Sequence, residues 1–181
     1  MLELIDQSTQ YLSNIIDRFR NYIKEKKEYK DVIVQDRVKI ALDIVAATLK
    51  NHKIKLINDI DKIDPQKVSI IVGELSEVVV NLIKNSKDAI LQNNILEPYI
   101  KIYLEQKDHN IVINIEDNGG GISQDIIGKI FDPYFTTKHK SRGTGLGLYI
   151  SKKIIEEHFG GKLYLKNTKE GACFSIELSI A

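Results

Sequence analysis

Two spacings of apolar residues alternate along the chain and predict its helices and strands. A period of three to four residues predicts amphipathic helices over residues 36–51, 74–92 and 146–159, and Asp36 is a candidate N-cap for the first of them. Ser123 is a candidate cap for a short further helix that ends near Ile130. Alternating or uniformly apolar runs predict strands at Asp31–Gln35, Ile54–Asn58, Val68–Val72, Tyr99–Glu105, Asn110–Glu116, Lys162–Lys166 and Cys173–Leu178.

The order of these elements predicts the fold class. Helices and strands mix without the regular alternation that produces a fully parallel sheet. We therefore expect an α+β fold, a two-layer α/β sandwich in which a mixed sheet carries helices on one face. The 181 residues suffice for one packed domain and an appendage.

The appendage is the N-terminal segment, whose apolar pattern predicts one long helix before the domain. No Gly or Pro interrupts residues 1–27, and Ile5, Leu12 and Phe19 recur every seven positions as a narrow apolar seam. An isolated helix of this kind requires a partner, either its own domain or, as we favour, another helix of a bundle. The chain therefore divides into a helical arm, residues 1–30, and a domain, residues 31–181.

Composition narrows the classes of partner. The net charge of +1 gives no electrostatic reason to expect nucleic acid. The single cysteine, Cys173, allows no internal disulfide and fits a reducing cytoplasm. No apolar run approaches the ~20 residues of a membrane span, so we expect no membrane contact by this segment. The expected location is cytoplasmic, either alone or as the cytoplasmic part of a membrane-bound protein.

Glycine is concentrated in two motifs that suit a bound nucleotide. Six of the eleven glycines lie in DNGGGI, residues 117–122, and in GTGLGL, residues 143–148. Backbone without side chains can approach a ligand closely, and the second motif opens a helix whose free N–H groups suit polyphosphate. The second motif is not a Walker loop, because no GKS or GKT follows, and it is not a dinucleotide fingerprint, because no strand leads directly into it.

Asp117 is the candidate for recognition of the base. An ionised carboxylate only accepts hydrogen bonds, so it can accept one from the exocyclic amine of adenine, whereas the carbonyl of guanine would be repelled. A calcium loop requires more oxygen ligands than this stretch provides. A simple tight turn remains an equal alternative for DNGGG taken alone.

The polar stripe of the helix at 74–92 carries the candidates for metal binding. Asn81 and Asn85 are four residues apart and share one face, and a carboxamide oxygen at Asn85 suits Mg²⁺ that keeps waters and phosphate oxygens. An ordinary hydrated helix face is the alternative. The aperiodic FDPYFTTK, residues 131–138, is a candidate lid that would bring Lys138 near the terminal phosphate, while Arg142 is better explained as a surface residue.

Five motifs in order, NLIKNSKDA, DNGGGI, FDPYFTTK, GTGLGL and GACFSIEL, resemble the catalytic ATP-binding domain of bacterial sensor histidine kinases. That domain has the Bergerat-type ATP-binding fold and shares a superfamily with DNA gyrase, heat-shock chaperones and MutL. The resemblance covers about residues 31–181, and the arm is similar to the second helix of the family's dimerisation and phosphotransfer hairpin. It implies catalytic roles for Asn81 and Lys138, and a metal-binding role for Asn85. The residues that it assigns to ATP and Mg²⁺ binding are Asn85, Asp88, Asp117, Gly119, Gly121, Ile122, Phe131, Thr137, Lys138, Gly143, Thr144, Gly145, Leu146, Gly147 and Leu148.

The resemblance also implies a reaction and its partners. ATP would give its γ-phosphoryl group to a histidine on a helix absent from this chain, in the same kinase or its dimer mate, and a response-regulator aspartate would receive it next. The intact protein is then expected to be a homodimer. Two alternatives are an ATP-hydrolysing clamp of the gyrase or MutL type, in which a Glu stands where Asn81 stands here, and a nucleotide-stabilised binding module.

Two departures from the family pattern carry expectations of their own. The family's phosphoacceptor is a histidine followed by an acid, and the chain's four histidines are followed by other residues: His52, His109, His139 and His158. We therefore expect the chain to bind ATP without phosphorylating itself. Ala172 replaces a usual Thr, so a hydroxyl that supports Asp117 through water is absent there. Ser86 replaces a usual Ala, an exchange that we expect to be harmless.

Overall fold

A computed structural model describes residues 28–138 and 144–181. Within these ranges seven strands form two sheets. The predicted helical arm over residues 1–27 lies outside the described residues, as do Gly143, His139 and Arg142. The strands in chain order are β1 Tyr29–Ile33, β2 Lys55–Asp59, β3 Lys67–Ile71, β4 Tyr99–Lys107, β5 Asn110–Asp117, β6 Lys162–Asn167 and β7 Ala172–Ser179.

The larger sheet has the strand order β2–β4–β5–β7–β6. It is mixed, because β2 and β4 run parallel while the other neighbours are antiparallel. Strands β1 and β3 pair with each other in a separate antiparallel ribbon. The α-helices that accompany the sheets in the described ranges are α1 Val34–Asn51, α2 Glu74–Gln92 and α3 Gly147–Lys153, the last of which continues into a π-helical turn at Ile154–His158.

The core lies between the large sheet and the helices. Along β5 the alternate residues Ile111, Ile113 and Ile115 belong to the buried core, while Asn114 and Glu116 point to the other face of the sheet. A slip of one residue in register would exchange these two sets, so burial of the isoleucines fixes how β5 pairs. The predicted two-layer arrangement, a mixed sheet with helices on one face, is confirmed.

Local boundaries differ from the prediction at α1. The helix begins at Val34, so Gln35 is helical rather than the end of a strand, and Asp36 lies in the first turn rather than at the cap. The Gln35 carboxamide is buried, donates to the Asp64 carbonyl at 3.1 Å and accepts from the Gln66 amide at 3.2 Å. These partners lie about 30 residues away, and satisfying them requires Gln35 to face inward on the helix.

The helix predicted from Ser123 does not form. Residues 124–131 adopt hydrogen-bonded turns, and the Ser123 hydroxyl donates to the Asp125 carboxylate instead of capping a helix. At the other boundary, α3 starts at Gly147 and not at Leu146. None of the helices in the described part of the chain is both long and apolar enough to span a bilayer.

Candidate nucleotide-binding site

A cleft of about 520 Å³ opens between α2, the residues that follow β5, the end of the 131–138 segment and the start of α3. A volume of this size is typical of pockets that bind small molecules and cofactors. The cleft brings together motifs that are up to 67 residues apart in the sequence. The predicted site residues that line it are Asn81, Asn85, Asp88, Asp117, Gly121, Ile122, Thr137, Lys138, Thr144, Gly145, Gly147 and Leu148.

Asp117 is the last residue of β5 and is only 2% exposed. Burial raises the pKa of its carboxyl, and the Ser86 hydroxyl and the backbone N–H groups of Gly119 and Ala172 act in the opposite direction. The Gly119 amide donates to Asp117 Oδ1 at 2.8 Å. The carboxyl is thus held in one orientation at the cleft, where it can accept a hydrogen bond from an amine.

Two asparagines fix the loop that follows Asp117. Asn93 Nδ2 donates to the Gly119 carbonyl at 2.6 Å. Asn118 accepts from the Tyr99 amide at 2.9 Å and donates to the Glu97 carbonyl at 2.8 Å. These contacts bind the loop to the end of α2 and to the start of β4, so its shape does not depend on a ligand.

Asn167, at the end of β6, holds the far side of the same loop. Its Oδ1 accepts from the Ile122 amide at 2.9 Å, and its Nδ2 donates to the Ile122 carbonyl at 2.7 Å. One carboxamide thereby satisfies both backbone groups of a residue that lines the cleft. No local signal in the sequence predicted this contact, because its partner lies 45 residues away.

A cationic side chain lies over the polar stripe of α2. Lys138 Nζ donates to Asn85 Oδ1 at 3.2 Å and to Asp88 Oδ2 at 2.7 Å. Burial acts to raise the pKa of Asp88, but Lys138 and Lys87 together hold it below its usual value. Asn81 lies one turn earlier on α2, and its Nδ2 donates to Ser151 Oγ of α3 at 2.9 Å.

Asn85 fits the role of a magnesium ligand. Its Oδ1 already faces a cation, the Lys138 ammonium group, while its Nδ2 is buried without a hydrogen-bond partner. In residues 28–138 and 144–181 no three His, Cys, Asp or Glu side chains cluster closely enough to hold a metal ion. Mg²⁺ at Asn85 would therefore depend on oxygens from the nucleotide phosphates and from water, which is the coordination that Mg²⁺ favours.

The start of α3 packs closely against two other parts of the cleft. Gly145 has φ = +67°, and a Cβ there would lie 2.3 Å from the backbone carbonyl carbon of Tyr134. A Cβ on Gly147 would lie 2.7 Å from Asn81 Oδ1. The backbone clash and positive φ at Gly145 exclude a side chain there, while one at Gly147 would require Asn81 to move, so the backbone at both glycines lies directly against its neighbours.

Comparison with known proteins agrees with this geometry. The profile of the family described as histidine kinase-, DNA gyrase B- and HSP90-like ATPases matches residues 71–181. The chain belongs to this ATPase family. The matched region contains α2 and all the motifs that form the cleft, so the cleft lies within the ATPase domain of the family.

Relatives place the chain with sensor histidine kinases inside the ATPase family. It is 34% identical over 148 residues to the two-component sensor PprA of Pseudomonas aeruginosa, covering 78% of this chain and 15% of the relative. It is 36% identical over 176 residues to the sensor protein KdpD of Clostridium acetobutylicum, covering 92% of this chain and 19% of the relative. The chain thus spans less than a fifth of the length of either sensor.

A solved structure supports the same placement within the ATPase family. The catalytic domain of the histidine kinase ThkA superposes with a TM-score of 0.73 at 26% identity, covering 84% of this chain and 95% of that domain. The ATP-binding domain described above is therefore of the sensor histidine kinase type.

Some residues assigned to the ATPase site lie outside the lining of the cleft. Gly119 is buried behind Asp117, where a Cβ would lie 3.0 Å from Ala89 Cβ. The Phe131 ring packs below Lys152, whose Nζ is 5.0 Å from the ring centroid. Leu146 precedes α3, and its amide donates to Thr144 Oγ1 at 3.1 Å. These residues shape or support the cleft, and their direct contact with ATP stays a prediction.

The sequence analysis missed part of the lining. The lining residues that the sequence did not predict are of two kinds. Apolar side chains can pack on the two faces of a base, and the polar side chains lie on or near α2. Ile126 and Ile130, four residues apart, were the one visible signal, since they share the spacing of the helix that does not form. The lining residues that were not predicted include Ser86, Ala89, Gln92, Asn93, Ile126, Ile130, Phe135, Ala172 and Phe174.

Asn167→Ala is expected to weaken ATP binding about fivefold to tenfold. The variant loses the two hydrogen bonds, of ~1 kcal/mol each, that hold Ile122. The nucleotide would then have to order this part of the loop when it binds. Isothermal titration calorimetry with ATP measures this change. Asn110→Ala is the matched control, because Asn110 also makes two side-chain hydrogen bonds, to Glu177 and Ser179, but at the opposite end of β5. Equal ATP affinities for the two variants would contradict a role for Asn167 in the loop.

Proposed function

We propose that this domain is the catalytic part of a two-component sensor kinase and transfers the γ-phosphoryl group of ATP to a histidine on a separate helix. The observation that carries the proposal is the single cleft lined by both Asp117 and Asn85. An acceptor for an adenine amine and a neutral ligand for Mg²⁺ are the two groups that a site for Mg²⁺ and ATP requires.

The base would occupy the end of the cleft next to Asp117. The ionised carboxylate accepts from the 6-amino group, and the residues around it exclude water with apolar side chains. Ile122, Ile126 and Phe174 belong to this apolar lining. The phosphates would then extend along α2 toward Asn81, Asn85 and the glycine-rich start of α3.

Asn85 would hold Mg²⁺, and Lys138 would neutralise charge at the terminal phosphate. Bound Mg²⁺ supplies charge neutralisation at the phosphate oxygens. Lys138 is at hydrogen-bond distance from Asn85 and Asp88, and this proximity to the proposed metal ligand supports the role. Catalysis of this kind rests on positioning and on electrostatic stabilisation.

The transfer itself would use an imidazole nitrogen as nucleophile. That nitrogen forms a bond to Pγ, the bond from Pγ to the bridging oxygen breaks, and ADP leaves with the electron pair. Asn81 cannot accept the imidazole proton, because an amide is not a base near neutral pH. The proton must go to a base beside the acceptor histidine, and Asn81 serves to hold α2 against α3 through Ser151.

The partners follow from this reaction. The acceptor helix belongs to the same kinase or to its dimer mate, and the aspartate of a response regulator receives the phosphoryl group next. The name of the Pseudomonas relative, a two-component sensor, supports this relay. We further propose that the kinase is cytoplasmic and homodimeric. Residues 1–30 would form part of the dimerisation hairpin, and residues 31–181 would form the catalytic domain.

The test is phosphoryl transfer between separate polypeptides. We expect this chain, incubated with Mg²⁺ and γ-labelled ATP, to label a hairpin from a related sensor kinase that carries a histidine followed by an acid. The same hairpin with that histidine changed to glutamine is the matched control. Transfer to neither hairpin, with steady release of inorganic phosphate, would instead favour a hydrolytic clamp, and ATP binding without either reaction would favour a binding module.

The chain itself is expected to stay unlabelled in that experiment. Its described histidines do not line the cleft: His52 and His109 are exposed at turns, and His158 is mostly buried, with Nδ1 2.8 Å from Glu74 Oε2. None of them is followed by an acid that could take the imidazole proton. Acid-labile incorporation of label into this chain alone, measured after gel separation, would contradict the expectation.

A further inference from the structure

A mostly buried polar pair joins the start of α2 to the end of the π-helical turn that follows α3. Glu74 is the first residue of α2, and His158 is the last residue of the turn. His158 Nδ1 lies 2.8 Å from Glu74 Oε2, and the His158 and Glu74 side chains are only 8% and 19% exposed. A carboxylate accepts hydrogen bonds and does not donate them, so Nδ1 is the donor. Neither residue lines the cleft.

The π-helical turn gives His158 its direction. The Phe159 amide donates to the Ile154 carbonyl, five residues back, at 3.2 Å. A π-helical turn holds more residues than an α-helical turn, so the side chain at its end points where an unbroken α-helix would not direct it. The Tyr29 hydroxyl donates to the His158 carbonyl at 2.7 Å and supplies the partner that a carbonyl at a helix end lacks. His158 is therefore held through both its side chain and its backbone.

A second polar link joins the same two helical elements beside the cleft, where Asn81 Nδ2 donates to Ser151 Oγ at 2.9 Å. Asn81 comes seven residues after Glu74, and Ser151 comes seven residues before His158. The two links therefore lie about 10 Å apart along an antiparallel seam. With one link near each end of the seam, α3 cannot slide or rotate against α2 without breaking a hydrogen bond.

Stability alone does not explain a polar pair at the far end of this seam. Apolar residues of similar volume often replace a buried ion pair without loss of stability, whereas a hydrogen-bonded pair can favour one orientation. Apolar packing is already present between the two links, where Val78 of α2 and Ile154 of the turn are buried in the core. The pair of Glu74 and His158 is therefore better explained by the orientation that it gives to α3.

The orientation of α3 matters at its other end, where the helix meets the cleft. A Cβ on Gly147, the first residue of α3, would lie 2.7 Å from Asn81 Oδ1, so the two helices are already in close contact there. Gly147, Asn81 and Asn85 line this part of the cleft, and a displacement of α3 would change the space between them. Asp117, by contrast, is oriented by the Gly119 amide at 2.8 Å and not by α3.

We propose that Glu74 and His158 are positioning residues, which together set the distance between α2 and the glycine-rich start of α3 and thereby the affinity of the cleft for phosphate groups. The proposal rests on the proposed function of the cleft as an ATP site. Both residues act from about 10 Å along the seam, without contact with the nucleotide. Loss of the pair therefore weakens the binding of the phosphates and leaves the binding of the base unchanged.

Adenosine and ATP separate the two ends of the cleft. His158→Leu removes the hydrogen-bond donor, and we expect it to weaken ATP binding about fivefold while adenosine binding changes less than about twofold. His158→Asn places a carboxamide NH₂ near the position of Nδ1, so it should bring ATP affinity back to within about twofold of the wild type. Calorimetry measures the binding of ATP with Mg²⁺, and NMR titration measures the binding of adenosine.

Two further variants separate the pair from a general effect on folding. Glu74→Leu breaks the same contact from the side of α2, and the double variant E74L/H158L should lose no more ATP affinity than either single variant. Ser76→Ala is the matched control, because its Oγ donates to the Arg37 carbonyl at 2.8 Å and so links α2 to α1 instead of α3. We expect S76A to lower the melting temperature and to keep both affinities.

The positioning role is wrong if E74L and H158L lose affinity for ATP and adenosine by the same factor, or if both keep wild-type ATP affinity. A selective loss of ATP binding in S76A would also overturn it, since any weakening of α2 would then have the same effect. E74L alone supplies the test should H158L not fold. Failure of the wild-type chain to bind ATP would instead overturn the proposed function, so the two failures are distinguishable.

Discussion

Asp117→Asn is expected to weaken ATP binding more than tenfold, a loss of about 1.4 kcal/mol or more. The carboxamide oxygen of the variant can still accept the Gly119 amide that now reaches Asp117 Oδ1 at 2.8 Å. The side-chain NH₂ then faces the cleft, where it meets the adenine 6-amino group donor to donor. Calorimetric titration with ATP and Mg²⁺ measures the loss, and an unchanged dissociation constant would remove Asp117 from the site.

Inosine triphosphate makes the same variant a test of recognition and not only of affinity. Its 6-carbonyl accepts from the carboxamide NH₂ that D117N introduces, whereas the wild-type carboxylate repels it. We expect the ratio of ATP to inosine triphosphate affinity to fall by more than tenfold in D117N. A uniform loss for both nucleotides would indicate damage to the loop instead of a change in base recognition.

The stability of the nucleotide-free variant provides the control for folding. Burial raises the pKa of Asp117 above its ordinary 3.8, so the folded state carries a cost whenever the carboxyl is ionised. The D117N substitution removes that cost, and the variant should melt no lower than the wild type at pH 7. The difference should shrink as the pH falls through the raised pKa and vanish below 3.8, where both folded and unfolded Asp117 are protonated. Thermal melts across that range measure it.

Asn85→Ala is expected to slow phosphoryl transfer to a supplied histidine hairpin by about a hundredfold or more, which is about 2.7 kcal/mol in the barrier. Asn85 Oδ1 is the neutral oxygen that faces a cation in the cleft, and the described residues offer no cluster of acids that could take over metal binding. The variant should also show a smaller increase in ATP affinity when Mg²⁺ is added. Calorimetry with and without Mg²⁺ measures that increase.

Chelation supplies the internal control for Asn85→Ala. With EDTA present, the variant and the wild type should bind ATP with affinities within about twofold of each other, since the lost interaction is the one with the metal ion. A variant that keeps the full effect of Mg²⁺ on affinity and rate would show that Asn85 is not the ligand. A variant that is weaker in EDTA by the same factor as in Mg²⁺ would point to lost packing on α2.

The sequence predicted best where the signal is local. The bounds of α2, Glu74–Gln92, follow from one strong amphipathic period that begins after Gly73. The start of α1 was misplaced because its determinant, the buried Gln35 carboxamide, bonds to backbone groups near residue 65. The predicted helix after Ser123 failed for a local reason: the serine hydroxyl found the Asp125 carboxylate, and turns replaced the helical ladder.

The site residues also differ in whether local sequence could predict them. That Asp117 and Asn85 belong to one site was predictable from their residue types, spacing and neighbouring glycines, and both line the cleft. The contact of Asn167 was not predictable, because its partner Ile122 lies 45 residues away and meets it only when the chain has folded.

The Lys138 ammonium group is a tethered counterion for the polar stripe of α2. Its Nζ donates to Asn85 Oδ1 and Asp88 Oδ2, and a divalent ion bound at the same carboxamide oxygen would repel it. In the proposed complex, Mg²⁺ at Asn85 would therefore replace one positive charge with another, and the charge of Asp88 would stay compensated. Because Lys138 belongs to the 131–138 segment, phosphates that attract its ammonium group would draw that segment off α2 in the same event that brings them to the metal.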